Sequence, residues 1–213
     1  MRSLATLVLL VGIASACGGD EDDSAAETSA SGCVAAQAPE PREPARHEAP
    51  TSTLDPAETT RAVVVTNCGE LTITLDPRAS PNAASSFAQL ASHGYFDDTV
   101  FHRIVPGFVI QGGDPSATGT GGPGYTTVDT PDEATAYTKG VVAMAKAPQE
   151  PPGAAGSQFF VVTGEDIGLP PQYAVIGTVT AGLDVVERIG ALGGANERPT
   201  ETVLIERISI ESS

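Results

Sequence analysis

The alternation of apolar and polar positions predicts that most of the chain after residue 60 is β-strand. Residues 70–76 place leucine and isoleucine on one face and threonine on the other, which is the period-two pattern of a half-buried strand. A second apolar run at 62–66 precedes them, so the turn at 67–69 predicts a hairpin. The same reasoning predicts further strands at 101–105, 108–112, 140–145, 157–163, 174–180 and 201–210.

Two short helices interrupt these strands. The pair Ser80-Pro81 predicts an N-cap followed by a first helical turn, and Gly94 predicts the end of this helix. A second helix is predicted over 183–189. About eight strands without alternating helices favour a mainly β fold, namely a closed eight-stranded antiparallel β-barrel capped by two α-helices.

The first residues have the layout of a secretory signal. Arg2 precedes an apolar run at 4–13 that is too short to span a bilayer, and small residues follow it. Cys17 then resembles the acylated cysteine of a bacterial lipobox, although Ala14 replaces the usual leucine. We expect residues 1–16 to be a signal peptide and Cys17 to be lipidated, which anchors the protein to the bacterial cell membrane outside the cytoplasm. The alternative is an ordinary signal peptide cut nearby, with Cys17 lost or free.

Residues 17–60 are predicted to be a lipid-anchored, disordered tether. They are rich in alanine, proline and acidic residues without hydrophobic periodicity, so they cannot bury enough surface to offset the entropy of ordering. If Cys17 carries lipid, Cys33 and Cys68 remain. Outside the cytoplasm these two cysteines allow one disulfide, which would pin the tether to the domain. The alternative is two unpaired thiols.

Composition narrows the chemistry. The formal net charge is −16, with 11 basic against 27 acidic residues, so the surface repels nucleic acid and we expect none as a partner. The sequence has no GxSxG, HExxH or dinucleotide-binding motif and no cysteine–histidine spacing of a zinc site. We therefore expect neither a metal nor a cofactor. The segment GTGTGGPGY lacks the GK[ST] ending of a phosphate-binding loop and does not lead into a helix.

The stretch FHRIVPGFVIQGGD at 101–114 combines a cation (Arg103), an amide (Gln111) and apolar side chains. Alternation places Arg103 and His102 on opposite faces. We interpret His102 as a structural, hydrogen-bonded residue and Asp114 as an acceptor that stabilises a turn. The remaining set has no covalent nucleophile, but it suits the binding of an extended peptide that contains proline.

Five motifs follow one another along the chain: FHRIVPGFVIQGGD, GTGTGGPGY, VAMAKAP, GSQFFVVT and PPQYAVIGTV. In this order they resemble the cyclophilin family of peptidyl-prolyl cis-trans isomerases, and with the N-terminal region a bacterial lipoprotein form of it. The resemblance covers the domain predicted at 61–213. It implies a barrel capped by two helices and an enzyme that isomerises X–Pro peptide bonds without a cofactor.

The resemblance also implies roles for individual residues. Arg103 matches the family's catalytic arginine, whose guanidinium donates toward the prolyl nitrogen, and Gln111 matches the amide that holds the substrate backbone. The other implied substrate-binding residues are Phe108, Val109, Phe160 and Leu169 in the proline pocket, Tyr173 beside it, and Gly119, Ala145, Lys146 and Gln158 along the groove.

Some positions depart from eukaryotic members of that family. Gly168 stands where those relatives often carry a tryptophan that helps to bind cyclosporin, so we expect weak affinity for the drug. Tyr173 replaces a histidine and Lys146 replaces an asparagine. The loop at 147–156 is also longer than usual.

We therefore predict a monomeric isomerase that acts on proline-containing polypeptides, namely exported proteins, and contacts the lipid membrane through acylated Cys17. The alternative is a chaperone module that binds proline peptides in the same groove but turns over little. A solute-binding lipoprotein is disfavoured because the single short domain lacks a two-lobed pattern.

Overall fold

The structure, a computed structural model, describes residues 29–43 and 45–213, and its dominant element is the β-strand. Within these residues the strands are β1 Thr60–Thr66, β2 Gly69–Leu75, β3 Thr99–Val100, β4 Arg103–Val105, β5 Val109–Gly112, β6 Thr127–Val128, β7 Val141–Met144, β8 Ala154–Ala155, β9 Phe159–Val162, β10 Val175–Ala181 and β11 Leu204–Ser212. The helices are α1 Pro81–Ser92 and α2 Leu183–Gly190, and a short 3₁₀ turn spans Ala195–Glu197. The mainly β composition and the two α-helices agree with the sequence prediction.

Nine of the strands form one antiparallel sheet that is curled but open. Its order is β3-β11-β1-β2-β10-β7-β9-β5-β4, and β6 and β8 form a separate two-stranded sheet. The prediction of a closed eight-stranded barrel is therefore wrong. Only Phe101 and His102 separate the two edge strands along the chain. Phe101 extends the pairing of β3 beside β11, since its N–H donates to Val203 O at 3.0 Å. The chain therefore passes directly from β3 at one edge to β4 at the other, and these two edge strands do not pair with each other.

Periodicity in the sequence found the longer strands and missed the shortest. β1, β2, β7, β9, β10 and β11 lie within or close to the predicted ranges. β3, β6 and β8 have only two residues each, which is too few to show a period of two. Strands this short depend on the partner strand that they meet, so their own residues do not identify them.

Helix α1 begins where the sequence predicts, but its cap comes from a distant residue. Ser80 occupies the N-cap position, and its side chain makes no capping hydrogen bond to a described residue. Instead, Asp129 Oδ2 accepts from the backbone N–H of Ala83 at 2.7 Å, and Asp129 Oδ1 accepts from Asn82 Nδ2 at 2.8 Å. A carboxylate at this end also interacts favourably with the helix dipole. Gly94 follows the helix with a φ of +66°, as expected for a residue that ends a helix.

The main hydrophobic core lies between the sheet and the two helices. Phe87 of α1 is fully buried and packs edge-on against Phe159 of β9, with ring centroids 5.3 Å apart. Alternate residues of β5, β7 and β9 point to the opposite face. Together with Tyr137, which precedes β7, they form a second buried cluster there, and its strand residues are Val109, Ala143, Phe160 and Val162. This second cluster underlies the candidate active site.

Residues 29–43 and 45–60, which we call the strap, lie against the domain. The backbone N–H groups of Arg42 and His47 donate to carbonyl oxygens of the Gly-rich loop, residues 115–126, at 3.1 and 2.9 Å. These fixed contacts differ from the disordered tether that the composition predicts. Hydrogen bonds between backbone groups depend little on side-chain type, so the sequence pattern did not reveal them.

The strap is also joined covalently to the domain. A disulfide links Cys33 to Cys68, as predicted, and both residues are buried. The predicted signal peptide at 1–16 and the predicted lipidation site Cys17 lie outside the described residues. Across residues 29–43 and 45–213, the helices are too short or too polar for any of them to span a membrane.

Candidate active site

The predicted catalytic arginine stands on the short hairpin of β4 and β5. The register of these strands sets Arg103 directly opposite Gln111, and Arg103 Nη1 donates to Gln111 Oε1 at 3.2 Å. The guanidinium carbon lies 6.0 Å from the centroid of the Phe108 ring, which is close enough for the ring face to attract a cation. The hairpin therefore presents a cation, an amide and an aromatic ring together.

Gln111 extends this contact across the floor of the groove. Its Nε2 donates to Gln158 Oε1 at 3.0 Å, and Gln158 Nε2 donates to Gly121 O at 3.0 Å. Because a guanidinium can only donate, Arg103 fixes which way the Gln111 amide points, and Gln111 then fixes Gln158. A directed chain of hydrogen bonds thus links Arg103 to the Gly-rich loop.

A cavity of about 510 Å³ opens beside Arg103, and we call it the sheet pocket. Its lining residues are Arg103, Phe108, Val109, Gln111, Ala145, Lys146, Pro148, Phe160, Leu169 and Tyr173. All of them except Pro148 are predicted site residues. Pro148 ends the motif VAMAKAP, but the family resemblance assigned it no role, so it was not among the predicted site residues. The volume lies in the usual range of ligand pockets and leaves room for a proline ring together with neighbouring peptide atoms.

Packed aromatic rings form the floor of the sheet pocket. Phe160 is 4% exposed, and its ring stands edge-on to that of Tyr173 at 5.5 Å between centroids. Beneath them lies Tyr137, whose Oη donates to Tyr173 O at 2.8 Å and accepts from the Tyr173 N–H at 2.9 Å. Burial raises the pKa of Tyr137 above its ordinary value, so the hydroxyl keeps its proton. Tyr137 lies outside the motifs, and the sequence did not single it out.

A second cavity of about 800 Å³ continues the groove, and we call it the loop pocket. The residues that line both pockets are Gln111, Ala145, Lys146 and Pro148. Gly119 and Gln158, which were predicted for the groove, line the loop pocket alone. The rest of its lining was not predicted residue by residue and comes from segments 120–126, 147–150 and 156–157. Most of these residues are small and form the wall with their backbone, which gives a sequence search little to recognise.

Asp114 organises the Gly-rich loop. Its buried carboxylate accepts hydrogen bonds from the backbone N–H groups of Ser116, Gly119 and Gly121 at 2.8, 2.7 and 3.1 Å. Burial alone would raise the pKa of Asp114, but the hydrogen bonds from Ser116, Gly121 and Gly119 outweigh burial and hold the pKa below its ordinary value. The interpretation of Asp114 as a turn-stabilising acceptor is confirmed, and the turn is a wall of the loop pocket.

Within residues 29–43 and 45–213, His102 does not make the hydrogen bonds that the sequence interpretation assigned to it. Both ring nitrogens are buried, and neither has a partner among the described residues. Burial lowers the pKa of His102 and outweighs the opposite effect of Asp114, so the ring is neutral at neutral pH. The ring lies under the Gly-rich loop, 3.8 Å from where a β-carbon on Gly119 would be. Among the described residues, its contact with the loop is one of packing.

Lys146 ties the extended loop to the side of the sheet pocket. Its Nζ lies 5.8 Å from the centroid of the Tyr173 ring and donates to Ala147 O and Glu150 O at 3.3 and 3.1 Å. Glu150 Oε2 in turn accepts from the Ala147 N–H at 2.6 Å. The loop after β7 is therefore closed on itself next to the groove.

Glu197 contacts the candidate catalytic residue and was not identified from the sequence. Its Oε2 accepts from Arg103 Nε at 2.6 Å. The hydrogen bond from Arg103, together with its positive charge, lowers the pKa of Glu197. Glu197 lies 94 residues after Arg103, in a segment between α2 and β11 where neither a motif nor a periodicity marks it.

Comparison with known proteins adds the family to this geometry. The family model described as "Cyclophilin type peptidyl-prolyl cis-trans isomerase/CLD" matches residues 61–210. The chain belongs to the cyclophilin-type peptidyl-prolyl cis-trans isomerases. It is accordingly an enzyme of the class that interconverts the cis and trans forms of X–Pro peptide bonds.

Individual relatives resemble the chain along nearly their whole length. Peptidyl-prolyl cis-trans isomerase B of Streptomyces anulatus is 36% identical over 176 residues, which cover 73% of this chain and 99% of the relative. Peptidyl-prolyl cis-trans isomerase-like 1 of Gibberella zeae is 36% identical over 157 residues, which cover 71% and 95%. A cyclophilin type isomerase of Cryptosporidium parvum, solved in the presence of the dipeptide Ala-Pro, has a TM-score of 0.66 and 30% identity, covering 72% of this chain and 99% of that one.

Proposed function

We propose that this isomerase lowers the rotation barrier with Arg103 as an electrostatic catalyst and that its substrates are exported proteins. The observation that carries the catalytic part is the position of Arg103. Its guanidinium lines an apolar pocket, while Gln111 and Glu197 hold two of its nitrogens. The role of each pocket residue is part of the proposal.

The chemical task is to twist a peptide bond. Amide resonance sets a barrier of about 18–20 kcal/mol. In the twisted state the prolyl nitrogen becomes pyramidal and its lone pair becomes localised, so a hydrogen-bond donor aimed at that nitrogen stabilises the twisted state more than the planar ones. Arg103 provides such a donor without forming a bond to the substrate, and no proton is transferred.

The sheet pocket is the proposed site for the proline ring. Phe108, Val109, Phe160 and Leu169 offer it an apolar surface, and burial of the ring holds the bond that rotates next to Arg103. Gln111 offers an amide to the substrate backbone. The cyclophilin type isomerase of Cryptosporidium parvum was solved in the presence of Ala-Pro, which supports the more general proposal that this chain binds proline-containing peptides.

Isomerisation of a short proline peptide tests the catalytic proposal. We expect Arg103→Ala to lower kcat about 100- to 1000-fold, the scale seen when one preorganised donor is removed from a transition state. KM should change little, because the apolar pocket remains. Arg103→Lys is the matched control, because it keeps the charge but loses the planar donor geometry. Its rate should lie between those of the wild type and Arg103→Ala. An Arg103→Ala variant with the wild-type rate would refute the mechanism, and a wild type near the uncatalysed rate would favour a binding module instead.

The location of the enzyme is the second part of the proposal. Residues 1–17 have the pattern of a lipoprotein signal, and the Cys33–Cys68 disulfide supports an oxidising compartment. Mass spectrometry of the mature amino terminus is the direct measurement. We expect an acylated Cys17 at the first position, and an unmodified chain that begins elsewhere would contradict the anchor.

A further inference from the structure

We propose that Glu197 is a positioning residue that sets the orientation of the Arg103 guanidinium for isomerisation. Glu197 lines neither the sheet pocket nor the loop pocket, so it acts through Arg103 and not on the substrate. The inference rests on the catalytic role proposed for Arg103. It is supported by three independent features of this region: the ion pair, the anchoring of the loop and the backbone conformation of Glu197.

The ion pair completes the support of the guanidinium. Glu197 holds Nε at 2.6 Å and Gln111 holds Nη1 at 3.2 Å, so two of the three nitrogens are fixed on different sides. Among the described residues, Nη2 has no hydrogen-bond partner. Without these two partners, an arginine side chain that is 32% exposed would keep its rotamer freedom until the substrate twists and would lose much of it at that step. Because Glu197 and Gln111 hold the Arg103 side chain in the free enzyme, this conformational entropy is not lost during isomerisation.

The loop that carries Glu197 is anchored to the strand that carries Arg103. The N–H of Gly194 donates to Arg198 O, and the N–H of Thr200 donates to Leu192 O, both at 2.8 Å, which closes the loop at its base. Gly193 lies so close to β4 that an added β-carbon would be 2.7 Å from Ile104 O. Only glycine fits there, so the loop backbone rests directly on β4.

The backbone at Glu197 is in a conformation that disfavours its own residue type. Asn196 and Glu197 have φ of +57° and +61°, the left-handed region in which glycine is at ease and a long side chain is not. Asparagine is tolerated in this region, but a loop that needed only to turn would favour glycine over glutamate at position 197. Strain of this kind, next to a functional group, motivates a functional role for the side chain.

Glu187 offers a control with the same kind of ion pair. Its carboxylate lies 2.6 Å from Lys139 Nζ, and its side chain is 53% exposed, as is that of Glu197. Glu187 is on α2 and lines neither pocket. A general effect of removing a surface carboxylate from this acidic protein should therefore appear equally in Glu187→Gln and Glu197→Gln.

Steady-state kinetics gives the first readout. We expect Glu197→Ala to lower kcat about two- to fivefold, the scale of an exposed oriented ion pair, with KM unchanged. Glu197→Gln keeps an acceptor for Arg103 Nε and should lose less, and Glu197→Asp should recover part of the rate. Glu187→Gln should match the wild type. A wild-type kcat in Glu197→Ala would overturn the proposal. So would a loss of kcat in Glu187→Gln as large as the loss in Glu197→Gln.

NMR of the arginine side chains gives a readout that a merely structural role would not move. The Arg103 Nε–H signal, assigned by its loss in Arg103→Lys, should be resolved from those of exposed arginines and protected from exchange with water. In Glu197→Ala it should move toward the exposed arginines. A signal that stays in place would overturn the positioning role, even if the rate falls.

The two proposals fail in different ways. If Arg103→Ala retains the wild-type rate, the catalytic role of Arg103 is refuted. If Arg103→Ala is nearly inactive while Glu197→Ala retains both the wild-type kcat and the wild-type Arg103 signal, the positioning role of Glu197 alone is refuted.

Discussion

The sheet pocket and the loop pocket share Gln111, Ala145, Lys146 and Pro148 but are built in different ways. In the sheet pocket, Arg103, Gln111 and Phe160 stand on paired strands, and Phe160 belongs to the second hydrophobic cluster. In the loop pocket, much of the wall is the backbone of the Gly-rich loop, which Asp114 holds by hydrogen bonds. Packing shapes the first pocket, and hydrogen bonds to the backbone shape the second.

This difference suggests that the two pockets have different roles, catalysis in the sheet pocket and recognition in the loop pocket. A donor that must meet a rotating bond needs a fixed position, and side chains on strands supply it better than side chains on loops. Loops vary more easily without disturbing the core, so they suit recognition of the residues around the proline. Changes in the sheet pocket should therefore alter stability and rate together, whereas changes around the loop pocket should separate them.

The largest expected effect comes from removing the floor of the sheet pocket. Phe160→Ala should lower the free energy of unfolding by about 3–5 kcal/mol, because it deletes a ring that is buried in a packed cluster, and it should abolish most activity. Urea unfolding and the proline-peptide assay measure the two effects. Val128→Ala is a control at a site that is 49% exposed and should change stability by about 0.5 kcal/mol at most. A stable but inactive Phe160→Ala would break the link between packing and rate.

Removing the disulfide should change stability strongly and rate little. The Cys33→Ser, Cys68→Ser double variant opens a loop with a sequence separation of 35, which should cost about 3–4 kcal/mol of unfolding free energy in the chain-entropy model. Neither cysteine lines the sheet pocket or the loop pocket, so the rate on a short proline peptide should stay at the wild-type level. Unfolding with and without reductant checks the wild type. A loss of rate on short peptides would show that the strap supports the sheet pocket as well.

The next effect in size concerns Asp114 and depends on pH. Asp114→Asn should lower the free energy of unfolding by about 1–3 kcal/mol at pH 7, since an amide oxygen cannot satisfy all the donors that face the carboxylate. Because the folded pKa lies below the ordinary value, the carboxylate's contribution is complete above about pH 4 and is lost as the pH falls through the folded pKa.

Urea unfolding at pH 7 and at steps below pH 4 tests this dependence. The stability of the wild type should approach that of Asp114→Asn as the pH falls, because protonation removes the interaction that the variant lacks. A stability difference between the wild type and Asp114→Asn that stays constant from pH 7 to below pH 4 would contradict the role assigned to the Asp114 carboxylate. Weaker binding of long peptides by the variant, with an unchanged rate on short ones, would sharpen the contrast between the two pockets.

The smallest expected effect is on substrate preference. Lys146 lines both pockets and carries a positive charge, so it should favour peptides with an acidic residue near the proline. Lys146→Gln should raise KM for such a peptide about two- to threefold relative to a neutral one. High salt should reduce the preference of the wild type. Lys139→Gln, whose lysine lines neither pocket, is the control, and an equal shift in both variants would contradict the local effect.

Much of the sheet pocket could be predicted from the sequence because its residues lie in motifs and on strands with clear periodicity. Arg103, Phe108 and Gln111 fall on one hairpin, whose pairing follows from alternation and the turn between its strands. The closed barrel was a wrong prediction because alternation reports which face of a strand is buried, not whether the last strand meets the first. The open edges depend on Phe101 following β11, which no local pattern encodes.

The sequence alone determined the β-rich fold class, the two helices, the cysteine pair and most of the sheet pocket, because each of these is encoded in spacing over a few residues or in a motif. The tertiary structure decided which distant groups meet. Asp129 caps α1, the strap binds the Gly-rich loop, and Glu197 reaches Arg103. Such contacts join segments tens of residues apart, and they form only when the packed core has fixed the path of the chain between them.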